Sequence, residues 1–357
     1  MEPINPFSKE QRLIKMIQRM LNLIIVLIVG IFLLPLVIYN ADTISGWFKS
    51  PNKIALTPGF PESKQNKSLK ENTAEVYWQP KALDLVADSQ LKAQVYYGRD
   101  LIAHTAKYLG PNGSVLQITN GQNCQNCHLQ AGTQVYGNNY GAVAATYPKF
   151  RARSGSLENI YKRVNDCFER SLNGKALDTS SKEMQAIVAY ISHIGSNVPK
   201  GEKAIGSGLK ELAYLDRAAN PVQGKLVYET KCQSCHQANG EGVLNPDKVE
   251  YSYPPLWGKH SFNDGAGLYR ISNFAKYIKY NMPLGVTHDN PQLSDEEAWD
   301  VSAYVLSQPR THLSVPKDWP DISKKPIDHP FGPYADRFSE KAHKYGPFKP
   351  IAAKTKK

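Results

Sequence analysis

Cysteine is scarce in this sequence, which contains five cysteines among 357 residues. Five cysteines are too few for a small disulfide-dense scaffold, whose composition is much richer in that residue. Methionine and tryptophan are equally rare, with five of each. The position of each sulfur side chain is therefore informative.

Blocks of like charge are also missing. The chain has 43 Lys and Arg against 32 Asp and Glu, a net charge of +11 that is spread along the sequence. Without an arginine-rich run or a basic helix interleaved with aromatic residues, the sequence does not predict a nucleic-acid-binding protein. A diffuse positive surface suits an anionic small substrate or an acidic redox partner, and it is equally typical of an ordinary solvated surface.

The few cysteines are concentrated in a motif that occurs twice. Cys124, Cys127 and His128 form one CxxCH, and Cys232, Cys235 and His236 form the second. In a c-type haem site each thiol forms a thioether with the porphyrin, and the adjacent imidazole is an axial iron ligand. Zinc would need four ligands per site, and a thioredoxin-like dithiol needs no following histidine. The sequence therefore predicts two covalently bound haems c, which leaves Cys167 free and no pair for a disulfide.

One long apolar run lies near the N-terminus. Lys9, Arg12, Lys15 and Arg19 precede it, and no charged residue occurs from Met20 to Ala41. About 20 apolar residues are enough to span a bilayer as a helix, and positive residues before the span favour a cytoplasmic N-terminus. The run therefore predicts an anchor, with a cleaved secretory signal as the alternative. In either case the rest of the chain is expected in the periplasm, at the face of the bacterial inner membrane if anchored.

The pattern after the run repeats once. In each half a helix precedes CxxCH, a loop and a second helix follow, and a terminal helix contains Ala-Tyr, at Tyr190 and Tyr304. Helical periodicity predicts helices at 91–108, 157–170, 181–194, 222–230, 268–280 and 294–306. This order resembles that of a small class I cytochrome c domain. The predicted fold is mainly α, with two tandem class I cytochrome c domains, an N-terminal transmembrane helix and a long irregular C-terminal tail. The predicted division is a cytoplasmic N-terminus (1–20), the anchor (21–41), a tether (42–73), the first cytochrome c domain (74–205), a linker (206–221), the second cytochrome c domain (222–310) and the tail (311–357).

A sulfur residue occupies the sixth-ligand position in each half. In the second half it is Met282, which is followed by proline, as is common for the axial methionine of cytochromes c. The corresponding position of the first half is Cys167. A core methionine and a buried, inert cysteine are the alternatives. The correspondence between the halves favours His236 and Met282 as ligands of one iron, and His128 and Cys167 as ligands of the other.

Basic residues are frequent around Cys167. Arg163 precedes it by one helical turn, and Arg151, Arg153 and Arg170 lie nearby. Guanidinium groups bind small oxyanions through several donors, so the cluster suits a sulfur oxyanion, with a solvated helix edge as the alternative. Arg153 and Arg163 are the preferred candidates.

Several longer motifs are shared with one family. The segment RVNDCFERSLNG around Cys167 and the ending DISKKPIDHPFGPYADRF with HKYGPF resemble the dihaem thiosulfate dehydrogenase and tetrathionate reductase family. The resemblance runs from about residue 80 to the C-terminus. It implies that Arg153, Arg163 and Ser171 line a substrate pocket at the His128/Cys167 haem. In some relatives a lysine precedes the axial methionine, where this sequence has Asn281.

The resemblance also implies the reaction and its substrates. Two thiosulfate ions are joined into tetrathionate with release of two electrons, or the reverse, and Cys167 carries the sulfur chemistry. Electrons would pass through the His236/Met282 haem to a periplasmic cytochrome c or a membrane redox partner. A membrane-tethered electron carrier without its own substrate, a dihaem peroxidase and the cytochrome subunit of a larger respiratory complex are the alternatives.

Overall fold

The computed structural model describes residues 14–25, 27–28 and 76–355. Residues 14–25 and 27–28 are helical and belong to a unit that covers residues 1–72, while residues 73–357 form a second compact unit. No helix among the described residues is long and apolar enough to cross a membrane. Most of the predicted anchor, residues 26 and 29–41, and the whole predicted tether lie outside the described residues.

The N-terminal half of the second unit is mainly helical and contains one β-hairpin. Strands β1 (Lys149–Arg151) and β2 (Ser156–Glu158) pair antiparallel, with Phe150 opposite Leu157. A 3-10 turn at Cys124–Asn126 carries the first attachment motif. The helices of this half are α1 (Ser89–Ala103), α2 (Thr105–Leu109), α3 (Leu129–Gly132), α4 (Val143–Thr146), α5 (Ile160–Asp166) and α6 (Lys182–Ile194).

The C-terminal half repeats this arrangement and ends in a folded tail. Strands β3 (Val243–Leu244) and β4 (Tyr251–Tyr253) form a second small antiparallel pair. The helices of this half and the tail are α7 (Pro221–Lys231), α8 (Gln233–His236), α9 (Ile271–Asn281), α10 (Asp295–Ser307), α11 (Glu340–Tyr345) and α12 (Phe348–Thr355).

In each half the helix before CxxCH and the predicted terminal helix of the cytochrome c domain cross at a glycine. A Cβ on Gly98 of α1 would lie 2.0 Å from the carbonyl oxygen of Ala186 in α6. A Cβ on Gly224 of α7 would lie 1.8 Å from the carbonyl oxygen of Asp300 in α10. Only glycine permits such close backbone contact between helices. The same crossing in both halves agrees with the internal duplication that the sequence predicts.

Each half encloses its own apolar core. The first core is built largely by α1 and α6, with Leu101, Ile102, Met184 and Ile187 almost fully buried. The second core is built by α9, α10 and the tail, and its largest fully buried side chain is Trp299. Because each core lies beside its own CxxCH motif, each half provides an apolar wall for one porphyrin.

Two predicted helices are interrupted. The predicted helix 91–108 breaks at His104, which lies between α1 and α2 with φ −127° and ψ 44°. The prediction of a continuous helix over 157–170 is wrong, because its first residues form β2 and its last residues form a wider π-type turn, Cys167–Ser171. The Asn159 side chain accepts a hydrogen bond from the Lys162 backbone N–H and starts α5 after the hairpin. The other four predicted helices are confirmed within three residues at each end.

The tail is not irregular throughout, which corrects that part of the prediction. Its last segment forms α11 and α12, and Phe348 and Ile351 of α12 are buried in the second core. Nearer the start of the tail, the buried Asp328 carboxylate accepts hydrogen bonds from the Arg270 guanidinium and from the Ser272 backbone N–H. The tail is therefore an integral part of the second half.

Candidate active site

The first attachment motif presents its histidine in a defined orientation. The backbone N–H of Cys124 donates to the Thr105 hydroxyl at 3.0 Å, and Asn123 and Asn126 cap the 3-10 turn reciprocally. His128 Nδ1 lies 2.5 Å from the carbonyl oxygen of Asn138. A ring nitrogen that donates to a carbonyl leaves the other nitrogen, Nε2, as the iron-binding atom.

The first motif lines a cavity of about 170 Å³ together with three of the predicted site residues. Arg163, Cys167 and Ser171 line this cavity with Cys124, Cys127 and His128. The remaining wall is largely apolar, with Ile102, Val143, Ile160, Phe168, Leu172, Ile187 and Ile191. A haem c requires two thiols for attachment, iron ligands and apolar surroundings. The cavity provides the two thiols, one imidazole, an additional sulfur and apolar walls. The residues present therefore fit the group.

Cys167 is held next to a cation. The Arg163 guanidinium donates to Cys167 Sγ at 3.0 Å across one helical turn. Burial alone would raise the pKa of the Cys167 thiol, but the Arg163 charge and the His128 ring outweigh it and lower the pKa to about 7. In return, the Cys167 sulfur raises the pKa of Arg163 above its ordinary value despite burial. The arrangement favours a thiolate, which is the nucleophilic and metal-binding form of cysteine.

Arg153 lies outside the cavity of Cys167. Its guanidinium borders a second, much smaller cavity, where its Nε atom is 4.0 Å from Asp318 Oδ2 in the tail. Burial and the charges of Arg170 and Arg163 lower the pKa of Arg153 to about 10. The structure thus brings Arg163, Cys167 and Ser171 together in one cavity, whereas Arg153 lines a different one and is linked to the first through its electrostatic interaction with Arg163. The substrate roles of all four stay predictions.

The second motif is oriented in the same way as the first. His236 Nδ1 lies 2.8 Å from the carbonyl oxygen of Pro254, and burial lowers the pKa of this ring, which favours the neutral form. Cys232, Cys235, His236 and Met282 all line one cavity of about 850 Å³. The cavity therefore contains the donor set that the sequence predicts for the second haem.

Asn281, the residue before Met282, contacts the first half. Its amide donates to the carbonyl oxygen of Tyr136 at 3.2 Å and accepts from Gln134 at 2.9 Å. Lys279 is engaged elsewhere, because its ammonium donates to Leu293 and pairs with Asp295. Lys279 is therefore not available to replace Met282 in this conformation.

The two cavities share a wall. Gln122, Asn123 and Cys127 line both of them. Gln122 also donates to the carbonyl oxygen of Pro255, next to the residue that holds His236, and Tyr277 of α9 donates to the carbonyl oxygen of Asn126. No pattern in the sequence predicts these cross-contacts, and the position of Gln122 just before the first motif is the one local sign of them. Such contact between two redox sites suits electron transfer from one to the other.

Comparison with known proteins supports this division. Residues 116–199 match the family described as SoxA/TsdA, cytochrome c domain, and residues 221–309 match the family described as cytochrome c. These matches confirm the prediction of two tandem cytochrome c domains, and with them the prediction of two covalently bound haems c.

Curated relatives are similar over about two thirds of the chain. The chain is 39% identical over 239 residues to the thiosulfate dehydrogenase of Psychrobacter arcticus, covering 66% of this chain and 69% of that protein. It is 38% identical over 239 residues to the thiosulfate dehydrogenase of Allochromatium vinosum, covering 66% of this chain and 85% of that protein.

A solved structure also matches. It is the thiosulfate dehydrogenase (TsdBA) from Marichromatium purpuratum in its as-isolated form, with a TM-score of 0.59 and 29% identity. The match covers 66% of this chain and 50% of that chain, so the matched part of this chain corresponds to half of the solved one. From the identity and the coverage of the two curated relatives it follows that this chain belongs to the thiosulfate dehydrogenase family.

Proposed function

We propose that the chain interconverts thiosulfate and tetrathionate. In the oxidative direction two thiosulfate dianions form one sulfur–sulfur bond and become one tetrathionate dianion, with release of two electrons. The observation that carries the proposal is Cys167, which lines the cavity of His128 with its sulfur 3.0 Å from the Arg163 guanidinium. The names of the relatives support the same reaction.

The residues around Cys167 have separate tasks in this proposal. Arg163 keeps the Cys167 sulfur in its thiolate form and contributes positive charge for a sulfur oxyanion. Ser171 supplies a hydroxyl on the same wall of the cavity. In the reductive direction the Cys167 thiolate attacks a sulfur of the central sulfur–sulfur bond of tetrathionate; that bond breaks, one thiosulfate leaves, and the other thiosulfate unit stays bonded to the Cys167 sulfur, as in thiol–disulfide exchange. Two electrons then break the bond to Cys167 and release the second thiosulfate together with the thiolate. The oxidative direction is the reverse of these steps.

Each haem, when bound, accepts or supplies one electron at a time. His128 and Cys167 would hold the iron in the first domain, and His236 and Met282 would hold it in the second. Gln122 and Cys127, which line both cavities, keep the two sites adjacent. The electron partner is a periplasmic cytochrome c or a redox protein of the membrane.

Rapid mixing tests the proposed reaction. Oxidised wild-type holoprotein mixed with thiosulfate, and reduced holoprotein mixed with tetrathionate, should each show a change of haem redox state in the stopped-flow absorbance. We expect a fast change in at least one direction. If neither ion alters the haem spectra, the chain acts as an electron carrier without a substrate of its own, and the proposed reaction is wrong.

We further propose that residues 21–41 anchor the chain in the bacterial inner membrane with residues 42–357 in the periplasm. The support is the uncharged run from Met20 to Ala41 and the basic residues before it. The full-length protein should sediment with membranes and resist extraction by alkaline carbonate. Release by carbonate of a chain that has lost its first residues would instead show a cleaved signal.

A further inference from the structure

The tail returns to the first domain beside Arg153. The backbone N–H of Trp319 donates to the carbonyl oxygen of Arg153 at 2.6 Å. Directly after it, Pro320 packs on the β-hairpin so closely that a Cβ on Gly155 would lie 2.5 Å from Pro320 Cγ. The tail residues Trp319 and Pro320 thus pack against the backbone of the β-hairpin at Arg153 and Gly155.

Trp319 adopts a strained backbone conformation at this contact. Its φ is +61°, which is an outlier for a bulky residue. The residue is 8% exposed, its indole N–H has no hydrogen-bond partner among the described residues, and its ring lies 5.8 Å from the Arg153 guanidinium carbon. Such outliers persist where the surroundings over-determine them, and they are concentrated at functional sites. Here the strained conformation places an aromatic ring against a cation.

Asp318 neutralises one of two neighbouring arginines. The Arg170 guanidinium donates to both carboxylate oxygens of Asp318, each at 2.9 Å. Arg153 Nε stays 4.0 Å away, beyond hydrogen-bond distance, and the Arg153 guanidinium makes no hydrogen bond to another described residue. All three side chains are at most 16% exposed. Two guanidinium groups therefore share one carboxylate, and a partly buried positive charge is left over.

No second carboxylate compensates this charge within the described residues. Asp166, the other acid that acts on Arg153, pairs with Lys162. Arg163 is close enough to Arg153 to affect it electrostatically, and it lines the cavity of Cys167. A partly buried cation without a full set of partners is costly unless an anion joins it.

We propose that Asp318 and Trp319 are positioning residues for Arg153: Asp318 occupies Arg170, Trp319 supports the Arg153 guanidinium, and Arg153 stays uncommitted for a sulfur oxyanion at the Cys167 cavity. This inference rests on the proposed function. It assigns a role to the C-terminal tail, which lies outside both matched cytochrome c segments.

Asp318→Asn tests the role of the carboxylate. The amide keeps the shape of the side chain but cannot hold Arg170 as an ion pair, so the two guanidinium groups repel each other and Arg153 loses its position. We expect the KM for thiosulfate to rise about tenfold while kcat changes less than about twofold, as for the loss of one charged hydrogen bond. Trp319→Phe, which keeps a ring under Arg153, should raise KM less than Trp319→Leu.

A double-mutant cycle separates positioning from a general structural effect. If Asp318 acts through Arg153, the Asp318→Asn change should have no further effect on KM in an Arg153→Met protein. Equal effects of Asp318→Asn in both backgrounds, or an unchanged or lower KM in the single variant, would overturn the inference. Asp321→Asn, which changes an exposed carboxylate three positions later, is the matched control and should leave KM unchanged.

Equilibrium binding makes the test independent of turnover. The dissociation constant of thiosulfate for the fully reduced holoprotein, measured by titration calorimetry, should rise about tenfold in Asp318→Asn. If the wild-type protein binds and turns over thiosulfate but the variants behave like it, the proposed function stands and this inference fails. If the wild-type protein binds no thiosulfate or tetrathionate, both fail.

Discussion

Replacing Cys167 by alanine is expected to reduce the turnover of thiosulfate and tetrathionate by a factor on the order of 10³ or more, with both haems still attached. The reason is chemical, because a methyl group can neither form a bond to a substrate sulfur nor bind iron. The attachment motifs are unchanged, so covalent haem incorporation should be normal. Steady-state rates measure the loss, and the pyridine haemochrome spectrum measures the number of haems per chain.

Cys167→Ser is the matched comparison, because it keeps the size and polarity of the side chain but lacks the sulfur. We expect it to be about as inactive as the alanine variant. Turnover within tenfold of the wild-type rate in Cys167→Ala would show that this sulfur does not carry the reaction, and recovery of activity in Cys167→Ser alone would show that only its polarity matters.

Replacing Arg163 by methionine should lower kcat/KM for both ions by about 100-fold. The variant removes the cation that lies 3.0 Å from Cys167 Sγ. Breaking a partly buried charge pair by removing one partner costs about 2–5 kcal/mol in comparable sites, which corresponds to a factor of about 30 or more. Arg163→Lys should recover only part of the loss, because an ammonium group keeps the charge but not the planar set of donors.

Arg99→Met is the control for the Arg163 variants, since Arg99 is an exposed arginine on α1 of the same domain. It should leave kcat/KM unchanged at equal ionic strength, which excludes an effect of net charge alone. A value of kcat/KM within threefold of the wild type in Arg163→Met would contradict the role of Arg163. Thermal unfolding of each variant shows whether any loss reflects misfolding.

Local sequence was sufficient to predict the two haem attachment sites. A CxxCH motif contains the attachment thiols and the axial histidine in five consecutive residues, so its chemistry does not depend on distant parts of the chain. Helix ends were predictable for the same reason, as at Ser294, where the side chain and that of Glu297 form a capping box. The proline neighbour of Met282 and its position between two helices led to the prediction of an iron ligand, and the structure places Met282 in the cavity of the second motif.

The segment around Cys167 was only partly predictable. Its periodicity correctly placed Arg163 and Cys167 on one helical face. It did not predict the change from helix to π-type turn at Cys167. The hairpin before it was not predicted. Its two strands are only three residues long, and the paired Phe150 and Leu157 are both exposed, so the strands lack the alternation of buried and exposed residues that predicts a strand. Short elements of this kind are stabilised by tertiary contacts more than by local propensity.

By itself the sequence determined that the chain holds two haems in two similar helical domains, and it predicted a sulfur residue for each distal position. It did so because covalent attachment and helix periodicity depend on neighbouring residues. Tertiary structure alone decided that Gln122 and Cys127 line both cavities and that Asp318 and Trp319 of the tail reach Arg170 and Arg153. These contacts join residues that are more than a hundred positions apart, and they depend on how the domains and the tail pack, which no local pattern encodes.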